Sequence, residues 1–453
     1  MIFQRIESEG LAHYSYLVGD GRDAVVIDPR FDCDVYTEAA HSGGMRIRHI
    51  FETHRHEDFV LGSRALSEKT GAAVWHADSQ WPYQYGQAAG QGQKWNMGRL
   101  TMEALSSPGH TPGSMSYLLR DPNGKAWMVF TGDALFAGDV GRVDFMGMEE
   151  ASRMAGLLYD TIFEAILPLG DGVIVCPAHG AGSVCASDIA ERMWTTIGLE
   201  RLHNPKLQVK DRADFISLTA KKMEYPPYFR LMEKLNLEGP RSTYNVPPPL
   251  SVSEFVSMAQ DAVIVDTRSE MAFGASHVPN SLFIWTAGLP AFAGWFLPYD
   301  KPVILVNETD NPEQVVRYLT RLGYSNIEGF LAGGMLAWQV AGQESAMIKT
   351  ITVHGLCSLA DEKGLPWLLD VRSASELDRG GHIPGAYHIH LTELPERGYE
   401  LPRDKPIYIF CGSGLRSMVA ASLLRRAGWK DLVVVLGGLS GWKSVSCPIR
   451  MKG

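Results

Sequence analysis

The sequence predicts an α/β protein of three domains with a linking tract. Three observations predict it. Short apolar runs alternate with helical patterns from Met1 to about residue 199. A proline-punctuated tract follows over residues 200–249. A segment of about 100 residues then occurs twice, over 250–345 and 346–453. The 453 residues agree with about three domains at ~150 residues each.

Taken in order, Tyr14 to Val18 and Ala24 to Ile27 read as neighbouring strands, with Gly19-Asp20-Gly21-Arg22 as the turn and Asp28-Pro29 as the stop. Asp34 to Gly43 and Phe59 to Thr70 read as helices closed by glycines. Tyr225-Pro226-Pro227-Tyr228 and Val246-Pro247-Pro248-Pro249 are breaker clusters, with a helix expected between them from Phe229 to Leu237. This tract is expected to pack on the first domain through its aromatics and then become a semi-rigid spacer over Pro247 to Pro249.

The net charge of −9 speaks against a nucleic-acid surface. No apolar run approaches the ~18–20 residues that span a membrane. The N-terminal residues lack a signal peptide's basic start and apolar core. Six cysteines, at 33, 176, 185, 357, 411 and 447, show no C-x-x-C and no disulfide framework. The expectation is a reduced, cytoplasmic protein, forming a homo-oligomer, with neither nucleic acid nor membrane as a partner.

Chemistry-bearing residues cluster at strand ends. Thr53-His54-Arg55-His56-Glu57-Asp58-Phe59 follows the apolar run Ile47 to Phe51. His110 lies among the turn formers of Ser107-Pro108-Gly109-His110-Thr111-Pro112-Gly113-Ser114. Asp133 follows Ala126 to Phe130, and His179 follows Val173 to Cys176. These ends are expected at one edge of a sheet, where imidazole and carboxylate together suit iron, zinc and related divalent metals. Arg55 and Glu57 are expected to be solvated.

In this order the blocks resemble the metallo-β-lactamase fold, an αββα sandwich whose hydrolases carry T-H-x-H-x-D-H, G-H-T-x-G-S, G-D and P-x-H. The departure is Phe59, where dinuclear hydrolases have a histidine for their second metal. The remaining set, His54, His110 and Asp133, is similar to that of the persulfide dioxygenases, which use two histidines and one carboxylate around Fe(II). The resemblance therefore implies one Fe(II) per chain, with thiol persulfide and O2 as substrates and sulfite as product. His56, Asp58 and His179 are expected either to ligate or to orient ligands by hydrogen bonds. Arg142, in a G-R-x-D-F similar to that of the persulfide dioxygenases, is expected either to hold an anionic substrate or to pair with Asp144. Cys185 is expected either to handle sulfur near the metal or to be structural.

The repeat sets Asp266-Thr267-Arg268 against Asp370-Val371-Arg372, an offset of 104 residues. His277-Val278-Pro279 returns as His382-Ile383-Pro384, and Gly333-Gly334 with Trp338 as Gly437-Gly438 with Trp442. Each copy resembles the rhodanese domain. In the second copy a strand ends in Cys411-Gly412-Ser413-Gly414-Leu415-Arg416-Ser417, followed by a helix expected from Ser417 to Ala427. The loop's backbone N–H groups and the helix N-terminus favour an anion there, and so favour thiolate. Cys411 is the expected nucleophile and Arg416 the expected dock for sulfite or thiosulfate. A loop of this length fits sulfurtransferases, whereas the related phosphatases use a longer one. In the first copy Asn307 and Pro312 fall at the positions of Cys411 and Arg416, so that copy is expected to be inactive.

The expected activity is oxidation of a thiol persulfide to sulfite, coupled to sulfur transfer that yields thiosulfate. Two alternatives are a zinc thioester hydrolase of the glyoxalase II type and a non-catalytic sulfur carrier using Cys411 alone.

Overall fold

Two six-stranded sheets face each other in the N-terminal part of this computed structural model, which describes residues 1–76, 81–241 and 245–445. The first sheet runs β1-β2-β3-β4-β5-β6: β1 (Ile2–Ser8), β2 (His13–Asp20), β3 (Asp23–Ile27), β4 (Arg46–Phe51), β5 (Ala73–His76) and β6 (Gln87–Ala88). The second runs β12-β11-β10-β9-β8-β7: β7 (Lys94–Met97), β8 (Leu100–Ser106), β9 (Met115–Arg120), β10 (Ala126–Gly132), β11 (Ile174–Pro177) and β12 (Thr195–Thr196).

Alternation along the strands decides the layers. Tyr16, Val18, Phe51, Tyr117 and Phe130 meet between the sheets. The opposite face of the first sheet, with Val26 and Ile50, packs on α1 (Asp34–Ser42) and α2 (Ser63–Thr70). That of the second, with Leu118 and Val129, packs on α3 (Met148–Asp160). The layers are therefore αββα.

The tract after residue 196 is more regular than expected. It forms α4 (Ile197–His203), α5 (Pro205–Gln208), α6 (Arg212–Thr219) and α7 (Phe229–Glu238). Helix α4 runs through the boundary expected at residue 199, and Phe215 of α6 completes the α3 core. Helix α2 starts at Ser63 instead of Phe59. The reason is Asn236 of α7. Its side-chain amide donates to the carbonyls of His56 and Phe59 and accepts from Leu61 N–H, so these backbone groups are satisfied outside a helix.

The chain divides into two compact units near residue 244, with residues 317–325 grouped with the first. The second unit holds two parallel five-stranded sheets. One is ordered β13-β17-β16-β14-β15, from β13 (Pro249–Leu250), β14 (Val263–Asp266), β15 (Leu282–Phe283), β16 (Val303–Val306) and β17 (Ile327–Leu331). The other is ordered β18-β22-β21-β19-β20, from β18 (Lys349–Thr352), β19 (Leu368–Asp370), β20 (Tyr387–His388), β21 (Ile407–Phe410) and β22 (Leu432–Leu436). The orders are the same, so the sequence repeat is a repeat of topology. The end of the expected proline spacer enters the first sheet as the edge strand β13, where a missing N–H is tolerated.

The two copies share a core. Phe273, Phe283 and Ile348 pack with Met418, Val419 and the interior of the second sheet, and Phe283 N–H donates to Ser422 Oγ at 3.1 Å. The first copy thus supports the helix Leu415–Arg426, whose N-terminus carries the Cys411 loop. Cys33, Cys176, Cys185 and Cys411 are free thiols, whereas Cys357 is disulfide-bonded, which departs from the expectation of a fully reduced chain. Cys447 lies outside the described residues. Among the described residues, no helix is long and apolar enough to cross a membrane.

Candidate functional site

The strand ends converge, but across two sheets instead of along one edge. His54 follows β4 of the first sheet. His110 lies between β8 and β9, and Asp133 and His179 follow β10 and β11, all of the second. All four side chains are buried. Gly132 makes the approach possible: at φ +54 it lies so close to Thr53 that an added Cβ would stand 2.6 Å from Thr53 Oγ1.

Three side-chain atoms face one another without hydrogen-bond partners: His54 Nε2, His110 Nε2 and Asp133 Oδ2. Asp133 Oδ2 is 3.7 Å from His54 Nε2 and 3.4 Å from His110 Nε2. The opposite ring nitrogen of each histidine is tethered. Thr53 Oγ1 donates to Asp28 Oδ2 at 2.7 Å, so it accepts from His54 Nδ1–H at 2.9 Å. His110 Nδ1–H donates to the Arg142 carbonyl at 2.9 Å. Both networks assign the proton to Nδ1 and leave the Nε2 lone pair facing the cluster. Burial and the nearby His56 push His54 well below the ordinary histidine pKa, and burial likewise lowers His110. Both rings are therefore neutral, as ligation requires. Buried polar atoms left without partners are costly, and a cation satisfies all three here at once.

His179 takes no such open position. Its Nδ1 bonds Asp133 Oδ1 at 2.8 Å and its Nε2 bonds Asp58 Oδ2 at 3.0 Å. Burial alone would lower its pKa, but Asp133 and Asp58 raise it well above the ordinary value, so both nitrogens donate. His179 thereby fixes the orientation of Asp133. His56 is similarly held up, at about 9, because Asp28 and Asp58 outweigh its burial. Phe59 is fully buried against His13 and His56, with ring centroids 4.0 and 4.6 Å away.

Arg142 is committed to the pair read as the alternative to anion binding. Its Nε and Nη2 donate to Asp144 at 2.7 and 2.9 Å, and Nη1 donates to the Glu224 carbonyl at 2.9 Å. Its backbone carbonyl accepts from His110 Nδ1–H. Cys185 is buried, with Sγ among the ligand atoms of His110 and Asp133, all within 4.8 Å of one another. Burial, with Asp58 and Asp133, raises its pKa well above the ordinary value and keeps it a thiol.

Arg55 and Glu57 are buried, not solvated. Arg55 meets Glu233 of α7 at 3.4 Å, and Glu57 lies beside His54 and His110. Sequence reasoning also missed Asp28, His13 and Asn236. Asp28 alone carried a local signal, as a polar residue stopping an apolar strand.

The second site is the turn after β21. Cys411 is buried, and Gly414 N–H donates to its Sγ at 3.1 Å. Gly412 is half-buried and Ser413 exposed, while the helix begins at Leu415, two residues earlier than expected. Ser417 is buried in its first turn. The double glycine explains itself here. Leu439 and Ser440 N–H donate to the carbonyls of Cys411 and Gly412, and a Cβ on Gly438 (φ +48) would stand 2.3 Å from the Cys411 carbonyl. The Asp370–Arg372 pair is likewise structural, since Arg372 Nη2 also donates to the Gly381 carbonyl at 2.9 Å. In the first copy Asn307 follows β16 as Cys411 follows β21, and its Oδ1 accepts from Thr267 Oγ1.

Arg416 makes a two-pronged bond to Glu376, 2.6 Å on each arm. Arg372, Arg379, Lys443, Glu376 and Gly412 line an adjoining cavity of 360 Å³. Arg416 holds the Glu376 carboxyl down at about 2, against 4.5 unfolded. A depressed carboxylate stabilises fully above its unfolded pKa, and the contribution is lost as pH falls toward the folded value. The stability difference between wild type and Glu376→Gln is therefore expected to shrink as denaturation is followed from about pH 6 to about pH 3. A constant difference would show that the pair is not ionised as described.

The metallo-β-lactamase superfamily model matches residues 9–94, and the rhodanese-like domain model matches residues 251–341 and 355–445. The chain is 30% identical over 243 residues to the mitochondrial persulfide dioxygenase ETHE1 of Bos taurus, spanning 50% of this chain and 79% of that protein. It is 30% identical over 240 residues to a hydroxyacylglutathione hydrolase of Brucella ovis, spanning 46% and 89%. A crystal structure of a metallo-β-lactamase from Staphylococcus aureus superposes with a TM-score of 0.65 at 27% identity, over 73% of this chain and 98% of that one.

Proposed function

Because the chain belongs to the metallo-β-lactamase superfamily, through an N-terminal domain homologous to ETHE1-type persulfide dioxygenases, and carries two rhodanese-like domains, we propose that it is an iron-dependent persulfide dioxygenase coupled to a sulfurtransferase. The observation that carries this reading is the trio of buried, unpartnered atoms on His54, His110 and Asp133; in the neighbouring cluster of His56, Asp58 and His179, buried Phe59 stands where dinuclear hydrolases have a histidine. His54, His110 and Asp133 would hold one Fe(II) per chain, which would supply redox chemistry toward O2 and the persulfide sulfur.

The residues divide the remaining work. Thr53 and the Arg142 carbonyl aim the two imidazoles, and His179 holds Asp133. The side chains of this cluster are buried, which would limit access of bulk water to a bound substrate. The balanced reaction converts one thiol persulfide, O2 and water into a thiol and sulfite with its protons. At the second site the Cys411 thiolate attacks the outer sulfur of another persulfide, releasing thiol and leaving a Cys411 persulfide. Sulfite then attacks that outer sulfur, forming thiosulfate and restoring the thiolate. The backbone N–H of Gly414 and the helix N-terminus stabilise the anionic sulfur. Arg416, the proposed dock for sulfite, is bonded on both arms to Glu376 and would have to exchange that partner for the anion. Joining both sites in one chain raises the effective concentration of sulfite at the second.

A thioester hydrolase is the second reading, favoured by the Brucella relative. Against it stands Phe59, at the position where dinuclear hydrolases have a histidine for their second metal. An oxygen electrode separates the two. Iron-loaded, reduced protein is expected to consume one O2 per thiol persulfide oxidised, and no uptake would remove the dioxygenase reading.

A further inference from the structure

Glu57 is a carboxylate at the metal cluster that the reaction above does not use. It is fully buried, and neither Oε1 nor Oε2 has a hydrogen-bond partner. Its sequence position explains where it lies. In the bend after β4, residues 54 and 57 fall on one side and residues 56 and 58 on the other. One ligand atom each from His54, Glu57 and His110 lie within 4.8 Å of one another, and so do those of His56, Asp58 and His179. Glu57 Oε2 stands 3.8 Å from His110 Nε2.

The neighbouring arginine does not take it. Arg55 turns to Glu233 at 3.4 Å and lies over the Trp81 ring, 4.4 Å from its centroid. The two histidines do not donate to it either, because their protons are on Nδ1, bonded to Thr53 and to the Arg142 carbonyl. A buried carboxylate without hydrogen bonds is costly, and a cation offsets that cost. The atoms facing Glu57 are lone pairs of the same kind, so a shared cation compensates all of them. We propose that Glu57 is a fourth protein ligand of the ion bound by His54, His110 and Asp133. Two carboxylates then balance the charge of a divalent ion between two neutral imidazoles. Oxygen and nitrogen donors of this kind favour Fe(II), Mn(II), Co(II) or Zn(II) over softer ions.

The proposal rests on the metal centre described above, and its test separates the two claims. Metal-free full-length protein is titrated with Co(II) against a competing chelator, and the visible ligand-field bands are recorded. Glu57→Gln, which keeps the volume and removes the charge, is expected to weaken Co(II) binding at least about tenfold and to alter the bands. Glu57→Asp, which keeps the charge and shortens the reach, is expected to fall between it and wild type. His54→Ala is the control. If His54→Ala loses Co(II) while Glu57→Gln keeps wild-type affinity and bands, the Glu57 proposal alone is overturned. If His54→Ala also keeps both, the metal centre itself is misassigned. Should circular dichroism show that Glu57→Gln does not fold, Glu57→Asp decides, and wild-type affinity with unchanged bands overturns the proposal.

Discussion

Replacing Cys411 with serine is expected to leave oxygen uptake intact and to change the product from thiosulfate to sulfite. Serine keeps the backbone cradle and the Gly414 N–H, but its oxygen does not ionise near neutral pH and forms no stable carrier of sulfane sulfur. Loss of a covalent nucleophile removes at least about a thousandfold of rate. Sulfite should therefore accumulate, close to one per O2 consumed, in a quenched assay that resolves both anions. Thiosulfate formed at the wild-type rate by Cys411→Ser would contradict the relay. The loop's carbonyls are held by Leu439 and Ser440, outside the thiol's reach, so the domain should stay folded.

Replacing His110 with alanine is expected to do the converse. It removes one of two neutral nitrogen donors and leaves Asp133 Oδ2 facing His54 alone. Losing an outer partner of a ligand already costs about 10–100-fold in metal affinity or activity, and losing the ligand costs more. Oxygen uptake should fall by at least about a hundredfold, with bound metal falling in parallel. Sulfur transfer by Cys411 from an added persulfide to added sulfite should survive, because its machinery lies in the other unit. Loss of both activities together would mean that the two sites are not separable.

The strand-end histidines and aspartates were legible because each follows an apolar run that has to become a strand, and the chain resumes as a turn at its end. The repeat was legible because Asp370–Arg372 and Gly437–Gly438 are structural devices that the first copy also needs: Arg268 bonds Asp266, and Gly334 keeps a φ of +54. The fate of Arg55 and Glu57 was not legible. Arg55 meets Glu233 of α7 and Glu57 lies beside His110, partners 178 and 53 residues away, and contacts at such separations leave no local pattern. Glu376 escaped for the same reason, lying 40 residues from Arg416. The late start of α2 follows from Asn236 competing for the backbone of residues 56–61. The spread of the site across two sheets follows from β4 and β10 belonging to opposite layers, a fact of topology rather than of local sequence.

The central claim is a site that binds one ion and no second. Elemental analysis of the full-length protein, reconstituted anaerobically with excess Fe(II) and desalted, tests it most directly. The account predicts about one iron per chain in wild type and almost none in His110→Ala. Two tightly held ions per chain, or none in the folded wild type, would contradict it.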